Sequence, residues 1–492
     1  MRIIFLLAVG CLACAGAALD PATSLLAAWP NPDASVVALL KDVGASAVFT
    51  PLDGKGESRA VVRVCRSAGL TAIAQLPVTA GTPELKEAAA RAHAAGFAGV
   101  AYHALSGERA TREFAASPRG LVQFVYLKPD QIHWDVSPAY AVLDEGVWPG
   151  VQPLDPTVAS ASEAPWVDAN LFLVAYLRGM FPRRPALLAY APDEKAGVPK
   201  ERLLPFDSLE LALVDARAAG GNVILTPPLR LREALLQRNG KALAAWNSLG
   251  SMLRFLNENA AVLAEPASSR VTVAAGSLEN SGEMLNLLFR RNASPAVVPR
   301  SGLAGGFLPN TRLLVATGLA GAPVAQKAAL EFARLGGHLF TAPDSGNEDK
   351  WWIAALNGRA RSDDEREFYP LGKGAVVAYR EPIVDPAEFA LDVIDTLGWS
   401  ARDLRLWSTD SAIALLRRPS RDQAAIAVVN YGSPVEDGFM IRLEGVFPTA
   451  ILTAPESPRP IALRTAVRGP GTEIEPPGMN RCAIILVSKR NQ

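Results

Sequence analysis

Acidic side chains beside tryptophan are the residues of this chain whose types and spacing could do chemistry. The run AYAVLDEGVWPG (139–150) closes an apolar stretch with Asp144 and Glu145 and continues into Trp148. A second run, APWVDAN (164–170), adds Trp166, Asp168 and Asn170, and APDEKAG (191–197) adds Asp193 and Glu194. Two carboxyl groups across a cleft are what cleavage of a glycosidic bond requires. They stand about 5–5.5 Å apart for retention or 6.5–9.5 Å for inversion, and one has a raised pKa so that it protonates the leaving oxygen. Tryptophan faces stack on the apolar face of a sugar ring. Glu145 is the first candidate acid, with Asp168 or Glu194 as its partner in unassigned order. Trp148, Trp166 and Asn170 are candidate substrate contacts. Each has a plainer alternative. Asp168 stands where a helix start favours a negative charge, Asp193–Glu194 suit a solvated turn, and the tryptophans can pack over a rim.

These residues need a frame that gathers strand ends. Short apolar runs at 25–29, 47–49, 71–76, 99–104, 121–127, 139–143, 186–191 and 222–226 each precede a helix-like segment, the one after the sixth spanning 167–181. Continuous apolar strands alternating with helices imply a parallel sheet covered on both faces. Eight such units in this length fit a TIM (β/α)8 barrel. No GxGxxG follows the first strand, which argues against a dinucleotide-binding fold. In such a barrel, chemistry sits on the loops after the strands. Asp144–Glu145 then end the sixth strand and Asp193–Glu194 the seventh. Asp53, Glu108, Asp130 and Asp135 are further carboxylates on the same rim. Tyr102 and His103 end the fourth strand and are candidate hydroxyl-binding groups.

Past Ala264 the pattern restarts as a second α/β block, of flavodoxin or amidotransferase type, with strands at 270–275, 312–318 and 338–342. Residues 343–372 read as a polar surface loop. The block holds no cysteine and therefore no cysteine nucleophile elbow. From about Asp403 the strands alternate with period two between Pro, Gly and Asp-Gly turns, as in an antiparallel β-sandwich. The expected division is a leader at 1–17, a barrel at 18–266, the α/β block at 267–402 and the sandwich at 403–492.

Lys plus Arg equals Asp plus Glu at 49 each, so no basic stripe points to nucleic acid or an anionic membrane. Arg2, the apolar run Ile3–Ala13 and Ala15-Gly16-Ala17 read as a secretory signal. The destination is then extracellular or periplasmic, with lipidation at Cys11 or Cys14 as the rival processing. No later stretch is long and apolar enough to span a bilayer. Cys65 and Cys482, at opposite ends of the mature chain, argue against a disulfide framework. The four histidines lack metal-ligand spacing, and no metal, nucleotide or flavin motif appears, so no cofactor is expected.

The order of these parts resembles that of secreted bacterial glycoside hydrolases of clan A, the three-domain β-galactosidases in particular. The strings that carry the resemblance are EGVWPG and APWVDAN, ENSGEMLNLLFRR (279–291), LGKGAVVAYREPIVDPAEFA (371–390) and IAVVNYG (426–432). The resemblance implies an oligo- or polysaccharide substrate and homo-oligomerisation through the middle domain. It also implies an Asn-Glu pair at the end of the fourth strand, the Glu being the acid/base. This chain reads AYHALSGE (101–108) there, with His103 in the region. Two functions stay open: a secreted glycosidase, or a catalytically inactive barrel that binds carbohydrate or serves an envelope complex.

Overall fold

The computed structural model describes residues 19–52, 57–77, 81–117, 120–151, 167–190, 204–305, 310–343, 350–356, 361–409, 411–436 and 438–489. The expected leader, residues 1–17, lies outside them.

Eight parallel strands close a barrel. In chain order the first part comprises β1 (Leu25–Ala28), α1 (Ala34–Asp42), β2 (Ala45–Pro51), α2 (Glu57–Ser67), β3 (Thr71–Gln75), α3 (Thr82–Ala95), β4 (Gly99–His103), α4 (Glu108–Ala115) and β5 (Val122–Leu127). There follow β6 (Tyr140–Gly146), β7 (Gly150–Val151), β8 (Val167–Asp168), α5 (Leu171–Met180), β9 (Leu187–Tyr190), α6 (Ser208–Ala218) and β10 (Asn222–Leu225). The helices α7 (Leu229–Leu236), α8 (Gly240–Glu258) and α9 (Ala260–Ala264) complete it. The barrel runs β1-β10-β9-β6-β5-β4-β3-β2. Local chemistry sets the helix ends. The Asp33 carboxylate accepts from the Ser35 and Val36 amides at the start of α1, and α3 stops where Gly96 takes φ 91°.

Strand alternation decides which side chains see the bore. Leu26, Phe49, Ile73, Ala101, Phe124, Val142, Leu187 and Ile224 form one cluster inside the barrel. Their neighbours Ala27, Val48, Ala72, Val100, Val125, Leu143, Leu188 and Val223 pack outward.

Two segments near the mouth depart from the sequence reading. The sixth strand continues to Gly146, so Asp144 and Glu145 lie within it rather than beyond it. Its pairing with β9 shifts register between Leu143 and Gly146, a bulge that opens the strand just where the acids stand. Residues 167–168 are a strand, paired antiparallel to 150–151, and the helix starts at Leu171.

All 11 residues of α6 are buried. Its sequence, SLELALVDARA, has apolar side chains on every side, as a fully enclosed helix requires. The barrel covers one side and the C-terminal strands the other.

The second part holds β11 (Val271–Ala275), α10 (Leu278–Arg290), β12 (Ala296–Pro299), β13 (Leu313–Val315), α11 (Pro323–Arg334) and β14 (His338–Thr341). After it come β15 (Arg361–Ser362), β16 (Arg366–Leu371), β17 (Gly374–Tyr379) and α12 (Pro386–Ala401). Strand order is β12-β11-β13-β14-β17-β16-β15. The five parallel strands follow the doubly wound order 2-1-3-4-5 of flavodoxin-like folds. The expected loop at 343–372 contains the strands β15 and β16, which pair antiparallel with each other and with β17.

The C-terminal strands are β18 (Leu404–Trp407), β19 (Ala412–Arg417), β20 (Gln423–Asn430), β21 (Met440–Glu444), β22 (Thr449–Thr453), β23 (Ile461–Ala462), β24 (Arg464–Arg468), β25 (Gly471–Glu475) and β26 (Cys482–Ser488). They form antiparallel sheets β18-β21-β25-β24 and β19-β20-β26-β22-β23. Ile426 and Val428 of β20 face the sandwich interior, whereas Ala427 and Val429 join the apolar cluster that covers the barrel helices. Arg417, 1% exposed, reaches the same place. It donates to the carbonyls of Ala218, Glu265 and Leu263 at the ends of α6 and α9, where C-terminal carbonyls lack helix partners. Cys65 and Cys482 are free thiols, both buried. Among the described residues no helix is long and apolar enough to cross a membrane.

Candidate active site at the barrel mouth

Continuing the inward alternation one step towards the strand ends brings Gln75, His103, Tyr126 and Asp144 to the mouth, from the four adjacent strands β3 to β6. The register agrees, since Gln75 pairs with Ala101 and His103 with Tyr126. The His103 ring lies 5.0 Å from the Tyr126 ring at 32°. His103 Nδ1 is 3.4 Å from Asp144 Oδ2, with the two side chains 39% and 27% exposed. The Tyr126 hydroxyl is hydrogen-bonded to the Gln75 side chain. Burial holds that hydroxyl far above its ordinary pKa and the Asp144 charge pushes the same way, with the Gln75 bond opposing. Tyr126 therefore stays a neutral phenol. On the opposite side of the bore the strand-end positions carry the small side chains Ala28 and Ala189. The mouth thus has a polar side from β3 to β6, facing Ala28, Ala189 and the exposed Pro51 that ends β2.

A carboxylate beside a half-exposed imidazole can exchange protons with a ligand and fix the imidazole's orientation. Asp144 and His103 are thus the described groups at the mouth best suited to acid–base work. Gln75 and Tyr126 were missed in the sequence. The signal for them was available: both fall at the inward parity, two residues beyond Ile73 and Phe124.

Tyr102 corrects an expectation. It is one residue out of phase with His103 and so faces away from the bore. It is 1% exposed, packs edge-on to Phe114 at 4.5 Å, and its hydroxyl is 3.3 Å from Gln123 Oε1. No sugar reaches it.

Trp148 and Asn170, expected as substrate contacts, are 7% and 0% exposed. Trp148 stacks on Tyr190, ring centroids 4.9 Å apart. Its indole Nε1 has no hydrogen-bond partner among the described residues. Asn170 is the hub of a buried network. Its Oδ1 accepts from the Val147 amide at 3.0 Å, and its Nδ2 donates to the Val147 carbonyl at 2.9 Å and to Asp215 Oδ2 at 2.8 Å. Nδ2 also stands 3.3 Å from the Tyr190 hydroxyl. The Asn170 amide donates to the same Asp215 oxygen at 2.8 Å. From the sandwich, the Tyr431 hydroxyl donates to Asp215 Oδ1 at 2.6 Å. Burial pushes the Asp215 carboxyl up to about 6, against the pull of these donors.

Asp168 is paired in β8 with Gly150, and its charge acts on Arg290 of α10. Burial and neighbouring Arg291 lower the Arg290 guanidinium, and Asp168 opposes them. Glu145 lies within β6; its side chain, like Asp53, Trp166, Asp193 and Glu194, is outside the described residues. Glu108 accepts from the Asp135 amide at 3.0 Å, and Asp135 stands 3.6 Å from Arg184. Both brace the loop after β5, while Asp130 is exposed. Among the described residues no group of three or more His, Cys, Asp or Glu could hold a metal ion.

In the second part, ligands of a doubly wound sheet would lie outside the strand ends where the order reverses, between β11 and β13. Arg300 fills that crevice. A Cβ added at Gly276, just after β11, would stand 2.6 Å from its guanidinium carbon, and one at Gly318, after β13, would also collide with it.

No family model matches the chain, and no curated protein is similar to it in sequence. Solved structures do match. Over 95% of its length the chain is similar to the whole (100%) of alpha-L-fucosidase isoenzyme 2 from Paenibacillus thiaminolyticus, with TM-score 0.65 and 9% identity. It is similar to exo-beta-1,4-mannosidase Op5Man5 from Opitutaceae bacterium strain TAV5 at TM-score 0.47 and 13% identity, covering 76% of this chain and 94% of that one. A rhamnosidase from Novosphingobium sp. PP1Y gives TM-score 0.42 and 12% identity, covering 89% and 40%. The likeness to the fucosidase shows a shared fold over 95% of this chain and the whole of that one.

Proposed function

We propose that this chain works on carbohydrate at the mouth of its barrel, as a glycoside hydrolase. The observation that carries the reading is the Asp144–His103 pair, open to solvent at the strand ends, in a chain with the complete architecture of an alpha-L-fucosidase. Asp144 is the acid/base, with His103 beside it holding the carboxylate and hydrogen-bonding a sugar hydroxyl. The small residues opposite leave room for the ring, and Tyr126 contributes a neutral hydroxyl. Hydrolysis needs a second carboxylate. Glu145 and Glu194, which neighbour the mouth in the chain, are the candidates, and Asp168 is the weaker one because its charge is directed to Arg290. Export by the N-terminal leader belongs to this proposal, with the polymer substrate outside the cytoplasm.

A second reading is favoured by one observation. The fourth strand ends in His103, where the clan A pattern has a glutamate. In that reading the mouth binds sugar without cleaving it. Turnover of an aryl-glycoside panel beginning with the α-L-fucoside, together with calorimetric sugar binding, separates the two. Hydrolysis by the wild type, cut about 10²–10⁴-fold by Asp144→Asn, supports the enzyme. Binding without turnover, lost in Asp144→Asn, supports the second reading. No turnover and no binding across the panel sinks both.

A further inference from the structure

Among the described residues, a short chain of buried hydrogen bonds joins the sandwich to the barrel mouth. It starts at Tyr431, directly after β20, passes through Asp215 on α6 and ends at Asn170, which grips both backbone groups of Val147. Val147 follows Asp144 by three residues, immediately after the bulge. The Val147 side chain is itself 47% exposed, so packing does not hold this segment from the outside. Trp148 is held from below by its stack on Tyr190, whose hydroxyl meets the same Asn170 amide.

The donors and acceptors leave little freedom. Asp215 is 0% exposed. One of its oxygens takes both Asn170 donors and the other takes the phenol. Asn170 then has only its Oδ1 for the Val147 amide. Moving Asp215 breaks the Asn170 geometry, and moving Asn170 releases the strand end that carries Asp144.

We infer that Tyr431, Asp215 and Asn170 are positioning residues for the barrel mouth, and that the sandwich, through the phenol of Tyr431, sets the placement of the Asp144 segment. The functional half of this inference rests on the reading that the mouth is the site. A sugar contact by Asn170 is excluded by its burial; it acts through Val147.

The test uses the full chain. Hydrogen exchange over residues 144–151 is compared between wild type and Tyr431→Phe, which removes one oxygen and leaves the ring. The Val147 amide should exchange about tenfold faster in the variant, while β26 keeps its protection. The kcat/KM on the best aryl glycoside, or the sugar association constant if there is no turnover, should fall about tenfold with the protein fully folded. Asp215→Asn should keep wild-type protection. Its amide oxygen can accept from Asn170, and its NH2 can donate to the Tyr431 oxygen. Asn170→Ser cuts the same path at its other end and should also speed exchange at Val147, which keeps the test valid if Tyr431→Phe does not fold. Unchanged exchange at Val147 in both Tyr431→Phe and Asn170→Ser overturns the inference. Faster exchange in a protein whose sugar turnover and binding are indifferent to Asp144→Asn overturns instead the reading of the mouth, and with it the functional half.

Discussion

The Asp215 carboxyl gives a stability measurement with a definite sign. Its pKa is raised from an ordinary 3.8 to about 6 because it is wholly enclosed between the barrel and the sandwich. The folded chain therefore holds this proton more tightly than the unfolded chain. Below pH 3.8 both forms are protonated and the group contributes nothing to the pH dependence. As pH rises from 3.8 to 6 the unfolded chain ionises first, and stability is lost; above 6 the loss is complete. At 1.36 kcal/mol per pKa unit, the loss is about 3 kcal/mol. Asp215→Asn removes the titration while keeping the size and most of the hydrogen bonding. The assay is urea unfolding of wild type and variant at a series of pH values from 4 to 8. Taking the difference cancels the carboxylates common to both proteins. The variant's stability relative to wild type should rise by about 2.5 kcal/mol between pH 4 and pH 7, the rest of the loss falling below pH 4, and then level off. A flat difference, or one that falls with pH, would refute the argument from burial, because the four donors, from Tyr431, the side chain and amide of Asn170 and the Leu171 amide, would then outweigh desolvation.

Three further expectations can be checked directly. Trp148→Ala removes a 7%-exposed ring stacked on Tyr190 and should cost about 3–5 kcal/mol by chemical denaturation; a cost below 1 kcal/mol would mean that the ring is mobile. Tyr102→Phe loses only a 3.3 Å contact with Gln123, so it should cost about 1–2 kcal/mol and leave sugar affinity as in the wild type; loss of affinity would restore Tyr102 to the site. Removing residues 403–492 uncovers α6, all of whose residues are buried in the full chain; the truncated protein should be found in the insoluble fraction or bind a hydrophobic dye, and a soluble, dye-negative product would show that the barrel stands alone.

Much of the fold is written in the sequence because barrel strands are apolar on both faces. Runs such as LLAA and LLAY have no other stable use than burial between bore and helices. Strands at edges leave no such trace. β15 and β24 carry exposed arginines, and β16 opens on Arg366 and Glu367 with a single buried residue, Tyr369, so these strands lack a clear apolar run: β15 and β16 read as loop and β24 merges with its neighbour. The edge strand Ala296–Pro299 is four residues long, only partly buried and ends in proline, too short a run to stand out from the surrounding turns. At the proposed site, position along the chain points to the end of the sixth strand, and strand parity then picks out Asp144 as the acid that meets His103. Alternation from Val142 selects Asp144, and the bulge that follows cannot be foreseen from residue types. Asn170 looked like a sugar ligand because polar residues near strand ends often are. Its buried partner Asp215 lies 45 positions away, and the Tyr431 that in turn holds Asp215 lies 216 positions beyond that; only tertiary structure brings them together.

The enclosure of α6 has a consequence for how the protein is made. The helix leaves the ribosome long before its second cover exists, since Tyr431 follows Asp215 by 216 positions. At about 5–20 residues per second, the interval is roughly 10–40 s. During that time a complete set of barrel strands is present, yet one flank of the nascent barrel is bare apolar surface. The chain therefore matures from its end backwards. The last strands synthesised close the first domain begun, and a chain released early by truncation or by a nonsense codon in the sandwich is a substrate for chaperones and proteases rather than a smaller version of the same protein.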